Sequence, residues 1–118
     1  MEMLSLDPLV PILSQLDTGA HGVVTFVALF HVPDSEAPKL LDAWYGEEEF
    51  LVRQPGFISR ELVRGRAGSD VFIDYTKFRN AALYKQSLLH PEHQELLKAY
   101  GPIKGSASLH LLDPTTRP

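Results

Sequence analysis

Asp74 is the residue of this sequence with the clearest potential for chemistry. It lies in an alternating stretch whose two-residue period places Phe72, Asp74, Thr76 and Phe78 on one side of a strand. A carboxylate beside phenyl groups is costly to bury unless it is hydrogen-bonded or its pKa is raised. With a raised pKa, Asp74 would be suited to general base catalysis. The alternative is an aspartate near a strand end that reaches water or caps a backbone amide.

Asp74 belongs to the second strand of a predicted β-hairpin. Pro55 and Gly56 form a turn before the first strand, the segment from Gly65 to Asp70 reverses the chain, and the second strand returns to Phe78. Three arginines flank the reversal: Arg60, Arg64 and Arg66. Solvated charge on a strand edge is the usual explanation for such a group, and anion binding is the alternative.

Hydrophobic patterning predicts the other elements. The nearly continuous apolar run 23–32 predicts a strand buried on both faces, and an amphipathic helix follows over residues 36–52. After the hairpin, two helical segments separated by His90 and Pro91 lead to a last strand over residues 106–112. The order strand, helix, strand, strand, helix, strand predicts an α+β, ferredoxin-like subunit with an antiparallel sheet. The acidic run of the first helix is assigned to its solvent side: Glu47, Glu48 and Glu49.

The predicted sheet has one uncovered face. Helices can cover one side, which leaves Val71, Ile73 and Tyr75 exposed on the other. A second sheet would bury them, so we expect a homodimer that forms through its sheets.

Three segments are expected along the chain. Residues 1–21 are an N-terminal extension with a short amphipathic helix that docks on the body or on a partner subunit, and residues 18–22 are its linker. Residues 22–113 form the domain, and residues 114–118 form a C-terminal tail.

Composition excludes several classes of function. The 118 residues carry a net charge of −4, which argues against nucleic acid as a partner, and they include no cysteine for disulfides, thiolate metal sites or cysteine nucleophiles. No apolar run is long enough for a membrane span and no signal peptide is recognised, so we expect a cytoplasmic protein without a membrane partner.

The histidines do not predict a metal site. His31 and His110 should lie at opposite ends of two antiparallel strands, and His90 and His93 are interpreted as a solvated pair at a helix terminus.

Four segments of the chain, taken in order, resemble the antibiotic biosynthesis monooxygenase domain family. They are the strand 24–32 followed by Pro33, the helix with Leu40, Leu41 and Trp44, the segment Arg-Gln-Pro-Gly-Phe-Ile-Ser at 53–59, and the segment His-Pro-Glu-His-Gln-Glu-Leu-Leu at 90–97. The resemblance covers about residues 22–113. It implies a dimeric α+β barrel of ferredoxin-like subunits. Some members of the family are cofactor-free oxygenases that convert phenolic or anthrone-type polyketide intermediates to quinones, and some degrade haem. Relatives with related folds cyclise polyketides or have no known chemistry.

The resemblance also implies positions for a site. The oxygenases typically carry an asparagine where Asp74 stands and a tryptophan where Phe78 stands. Because an ionised aspartate would repel an oxyanion that an asparagine can stabilise, Asp74 is expected to act as a base instead. Tyr84 resembles a pocket tyrosine of the family, and Lys98 stands about where an arginine is found, although a core-edge tyrosine and a solvated lysine are the alternatives. The residues expected to bind the substrate are Phe78, Phe72, Trp44, Phe26 and His31.

Three hypotheses for function follow. The first is a cofactor-independent monooxygenase that acts on an aromatic polyketide or another phenolic intermediate, with Asp74 or Tyr84 taking a substrate proton. The second is a cyclase, dehydratase or isomerase that uses the same pocket without oxygen. The third is an accessory protein that binds a ligand or a partner enzyme without catalysis, with the N-terminal helix as the contact.

Overall fold

A five-stranded sheet with helices packed on one face forms the body of the protein. The computed structural model describes residues 2–16 and 22–111. Its elements are β1 Glu2–Ser5, α1 Ile12–Leu16, β2 Val24–His31, α2 Ala37–Leu51, β3 Phe57–Arg64, β4 Val71–Phe78, α3 Ala81–Leu88, α4 Pro91–Leu97 and β5 Lys104–Leu111. Short 3-10 turns precede α2 at Asp34–Glu36 and follow α4 at Lys98–Tyr100.

The strand order in the sheet is β1-β5-β2-β4-β3. β2 pairs antiparallel with both β4 and β5, β3 pairs antiparallel with β4, and β1 is added in parallel on the free edge of β5. The elements from β2 to β5 follow the predicted order of a ferredoxin-like unit, which confirms the α+β fold class.

The strand alternation predicted for β4 is confirmed. One set of its residues faces the helices and is buried: Phe72, Asp74, Thr76 and Phe78. The intervening residues are only half-buried: Val71, Ile73 and Tyr75. This alternation places the Asp74 carboxyl group on the face of the sheet that carries the core.

Two clusters of buried side chains fill the space between the sheet and the helices. One cluster brings Phe30 of β2 together with Leu40 of α2 and Tyr100, and the other brings Phe50 of α2 together with Phe78. Polar caps fix the helices that follow the hairpin. The Asn80 side chain accepts a hydrogen bond from the Leu83 amide at 2.8 Å and begins α3, and His90 caps α4 in the same way.

The N-terminal segment differs from the expectation of a helix alone. Residues 2–5 form a strand on the sheet edge, and the helix is confined to residues 12–16 because Asp7 ties the amides of Leu9 and Val10 into a turn before it. Most of the predicted linker, residue 112 and the predicted tail lie outside the described residues.

Among residues 2–16 and 22–111, no helix combines the length and the apolar character that crossing a membrane requires.

Candidate active site

A cavity of about 150 Å³ lies between the inner face of the sheet and the helices. Its lining is mostly apolar, and four residues add two carboxyl groups and two phenol groups. The lining residues are Met3, Ile12, Phe26, Phe30, Glu47, Asp74, Tyr84, Leu88, Leu97 and Tyr100. A small apolar cavity with a few convergent polar groups has the general features of a ligand site.

Two pairs of stacked rings stand on either side of the middle of β2. Phe26 stacks on Tyr84 with ring centroids 5.1 Å apart, and Phe30 stacks on Tyr100 at 5.9 Å. Ala28 lies between the two phenylalanines, pairs with Asp74 on β4, and contributes only a methyl group. The strand therefore keeps the two ring pairs apart.

Asp74 is held by two neighbours and is 3 % exposed. The Thr76 hydroxyl donates to Oδ1 at 2.8 Å, and Nη2 of Arg60 donates to Oδ2 at 3.3 Å. Burial raises the pKa of Asp74 to about 6, because the charge of Arg60 and the hydrogen bond from Thr76 only partly offset the loss of solvent. Asp74 can therefore change protonation state near neutral pH.

The pKa of Glu47 is shifted in the opposite direction, although Glu47 lines the same cavity. It receives hydrogen bonds from Nη2 of Arg60 at 2.7 Å, from Nε2 of His93 at 2.6 Å and from the Tyr100 hydroxyl. Burial alone would raise the pKa of Glu47, but the His93 hydrogen bond and the charges of Arg60 and His93 lower it to about 2. Glu47 is therefore a permanent anion at neutral pH.

Arg60 connects the two carboxylates. Its guanidinium also donates to the Thr76 hydroxyl at 3.2 Å and to the Trp44 carbonyl at 2.8 Å, and it lies 4.2 Å from the centroid of the Trp44 ring. Only 1 % of its side chain is exposed, and the charges of Glu47 and Asp74 raise the pKa of Arg60 against the effect of burial.

His93 is a second buried partner of Glu47. Its Nδ1 lies 3.0 Å from the Ser87 carbonyl oxygen and its Nε2 lies 2.6 Å from the Glu47 carboxylate. Both ring nitrogens therefore face oxygen atoms. The cluster of Glu47, Arg60, Asp74 and His93, here called the buried charge cluster, joins one guanidinium, one imidazole and two carboxyl groups.

Tyr84 lines the cavity with its phenol group. Burial raises the pKa of Tyr84 well above the ordinary value. Its hydroxyl therefore keeps its proton at neutral pH and can donate it in a hydrogen bond to a ligand.

Only some of the site residues expected from the sequence line the cavity. Asp74, Tyr84 and Phe26 line the cavity together. Trp44, Phe72 and Phe78 are buried but do not line it: Trp44 lies against Arg60, and Phe78 contacts the Tyr84 ring from its edge.

Two other expected residues lie away from the cavity. The Lys98 side chain is 74 % exposed and pairs with Glu95 at 2.9 Å, so it is a solvated helix lysine. His31 is exposed at the end of β2 and lies beside a groove on the other face of the sheet, with Val71 and Lys104.

Sequence reasoning missed much of the buried charge cluster. The solvent positions predicted for Glu47, Arg60 and His93 are wrong, since all three side chains are buried. Glu47 follows Trp44 by three residues and precedes Leu51 by four, so helical spacing already placed it on the apolar face. The same spacing was present for His93 and Tyr100, since Leu96 and Leu97 lie three or four residues from each of them.

Within the described ranges, no three His, Asp or Glu side chains converge in a way that could hold a metal ion.

Comparisons with known proteins agree with this architecture. The profile of the antibiotic biosynthesis monooxygenase family matches residues 23–99, more than half of the chain. A search of curated protein sequences finds no significant match.

Several solved structures share the fold. SnoaB, a cofactor-independent oxygenase from Streptomyces nogalater, is 20% identical and has a TM-score of 0.71, and the match covers 82% of this chain and 99% of that chain. A protein from Caulobacter crescentus, named provisionally as an antibiotic biosynthesis monooxygenase, is 18% identical with a TM-score of 0.67 over 79% of this chain and 90% of its own. At these identities the likeness shows the fold. Together with the profile match, it establishes that the chain belongs to the antibiotic biosynthesis monooxygenase family.

Proposed function

We propose that this protein is a cofactor-independent monooxygenase that oxidises an electron-rich phenol, with Asp74 as the general base. The observation that carries the proposal is the Asp74 carboxylate, whose pKa is about 6, in the wall of an apolar cavity beside the permanently ionised Glu47. Two carboxyl groups whose surroundings separate their pKa values are a typical arrangement for acid and base chemistry.

The proposed reaction begins with a proton transfer. Asp74, ionised at neutral pH, takes the proton of the phenol hydroxyl, and the phenolate becomes electron-rich enough to pass an electron to O2. Tyr84 keeps its proton because its pKa is raised, so its hydroxyl can donate a hydrogen bond to the phenolate oxygen.

The overall change balances without a cofactor. Phenol and O2 give a quinone and water: one ring carbon exchanges its hydrogen for one oxygen atom of O2. The phenol oxygen also loses its hydrogen, and the two hydrogens leave with the second oxygen atom as water. The apolar walls of the cavity would keep bulk water away from the radical or peroxide that forms between these states.

A second candidate is an acid and base reaction of a similar substrate without oxygen, such as a cyclisation, dehydration or isomerisation. One observation favours it. No Lys or Arg residue lines the cavity among the described residues, so a developing superoxide would meet two carboxyl groups and no free cation.

The experiment that tests the proposal is oxygen uptake by the purified protein with a panel of phenols, hydroquinones and anthrones. Asp74→Ala should lower kcat/KM on the order of 10²-fold or more. Asp42→Asn, a change of an exposed aspartate on α2, is the control and should leave the rate unchanged. Substrate consumption without oxygen uptake would establish the second candidate instead, and full turnover in Asp74→Ala would remove Asp74 from the mechanism.

We also propose that two chains form a homodimer through the outer face of the sheet. Three features support this: the half-buried Ile73 and Tyr75, the exposed Val63, and the location of both core clusters on the opposite face. A dimer interface there would cover apolar side chains that the described part of a single chain leaves partly in water.

A further inference from the structure

The size of the cavity limits what it can hold. A cavity of about 150 Å³ with apolar walls corresponds to one benzene-sized ring. Three fused rings, as in an anthrone, exceed this space. All four rings of the pairs Phe26/Tyr84 and Phe30/Tyr100 line this cavity.

Two of the lining residues precede the segment 23–99 that carries the family match. Met3 of β1 and Ile12 of α1 both line the cavity, whereas the match begins at residue 23. The wall that these two side chains form is therefore an addition to the family domain, and it occupies space beside the ring pairs.

The wall formed by Met3 and Ile12, here called the N-terminal wall, is held in place by hydrogen bonds to β5 and by packing. Met3 pairs with Gly105 on β5, and the amide of Leu6 donates to the Ala107 carbonyl at 2.7 Å. Residues 5–16 make further contacts within the N-terminal segment, with β5 and with the core. Ser5 Oγ accepts a hydrogen bond from the Ile12 amide at 3.0 Å, Gln15 accepts one from the Leu109 amide at 2.8 Å, and Leu16 is only 3 % exposed.

We infer that Met3 and Ile12 are specificity-determining residues that restrict the substrate to a single-ring phenol. The phenolic class rests on the proposed function, while the size limit rests on the cavity and its N-terminal wall. Replacing either side chain by alanine opens the cavity toward the N-terminal segment and admits larger ring systems.

The test is ligand binding measured by calorimetry without oxygen, with resorcinol as the single-ring probe and 1,8-dihydroxyanthrone as the three-ring probe. The wild-type protein should bind resorcinol at least about tenfold more tightly than the anthrone. Met3→Ala and Ile12→Ala should each shift this ratio toward the anthrone by about tenfold, an effect of about 1.4 kcal/mol. Leu13→Ala is the matched control, because Leu13 is adjacent to Ile12 but 65 % exposed.

The outcomes separate the two proposals. Equal binding of both probes by the wild-type protein, or an unchanged ratio in both alanine variants, would overturn the size limit even if phenols are oxidised. Selective binding of resorcinol without any oxygen uptake would keep the size limit and contradict the oxygenase proposal. Ile12→Val, which keeps the fold with a smaller change, should shift the ratio in the same direction as Ile12→Ala but less.

Discussion

Glu47 and Asp74 both contact the guanidinium of Arg60, but the pKa of Glu47 is lowered and the pKa of Asp74 is raised. Arg60 lies 2.7 Å from Glu47 and 3.3 Å from Asp74, and His93 contacts only Glu47 of the two carboxyl groups. Burial raises the pKa of both carboxyl groups, so the number and distance of their hydrogen-bond partners decide which one stays ionised. Glu47 thereby serves as a structural anion, and Asp74 remains available for proton transfer.

At this scale we expect Glu47→Gln to destabilise the fold by about 3 kcal/mol or more, because it removes the buried anion that lies 2.7 Å from Arg60 and 2.6 Å from His93. Since the folded pKa of Glu47 is lowered to about 2 from its ordinary 4.5, its stabilising contribution is complete above about pH 4.5 and is lost as the pH falls toward 2. Urea unfolding at pH 7 measures the effect.

The matched control for this prediction is Glu49→Gln on the same helix. Glu49 is exposed, so its replacement should change the free energy of unfolding by less than about 0.5 kcal/mol. A Glu47→Gln variant as stable as the control would contradict the assignment of Glu47 to a structural charge cluster.

At the scale of elements, the sequence predicted helices and strands best where apolar residues recur at a regular spacing and turn residues mark the ends. The alternation of β4 and the order of the elements from β2 to β5 followed from patterning alone. β1 could not be predicted, because a four-residue strand owes its form to pairing with β5 rather than to its own sequence. The partners of Arg60 and His93 come from distant segments, so no local pattern could reveal them.

Two glycines give a prediction about the elements that position the site. Gly56 precedes β3 with φ of +87°, and an added Cβ would lie 2.6 Å from a side-chain carbon of Leu83. Gly56→Ala should therefore cost about 1–3 kcal/mol of stability. Gly46 lies in α2 with no atom within 4 Å of an added Cβ, so Gly46→Ala should stabilise the protein by about 0.5–1 kcal/mol.

Thermal unfolding of the two alanine variants checks this pair directly. The same chemical change should move the melting temperature in opposite directions. A Gly56→Ala variant that is as stable as the wild-type protein would contradict the described turn and its contact with α3.

At the scale of the whole molecule, the proposed dimer gives a direct prediction. Ile73→Glu places a charge in the middle of the outer sheet face and should convert the dimer to a monomer, because an unpaired charge is costly to bury in an interface. Sedimentation velocity measures the mass. Asp42→Asn, at an exposed position of the helix α2 that packs on the opposite face of the sheet, should leave the dimer intact. A wild-type protein that sediments as a monomer would contradict the proposal.

Different segments of the chain contribute different parts of the site. The segment matched by the family profile contains β2 to β4, α2 to α4 and the buried charge cluster, and the N-terminal segment adds β1 and α1 and lines one side of the cavity. The sequence predicted the domain and Asp74, whereas the cavity wall and most of the cluster required the folded chain.

The most direct test of the central claim is the pH dependence of kcat/KM for phenol oxidation between about pH 4.5 and 8. Asp74 acts as a base only when ionised, and its pKa is raised to about 6. The rate should therefore be constant above about pH 7 and fall roughly tenfold per pH unit below 6, while the residual rate of Asp74→Asn should lack this inflection. A wild-type rate that stays at its full value down to pH 4.5 would contradict the assignment of Asp74 as the base.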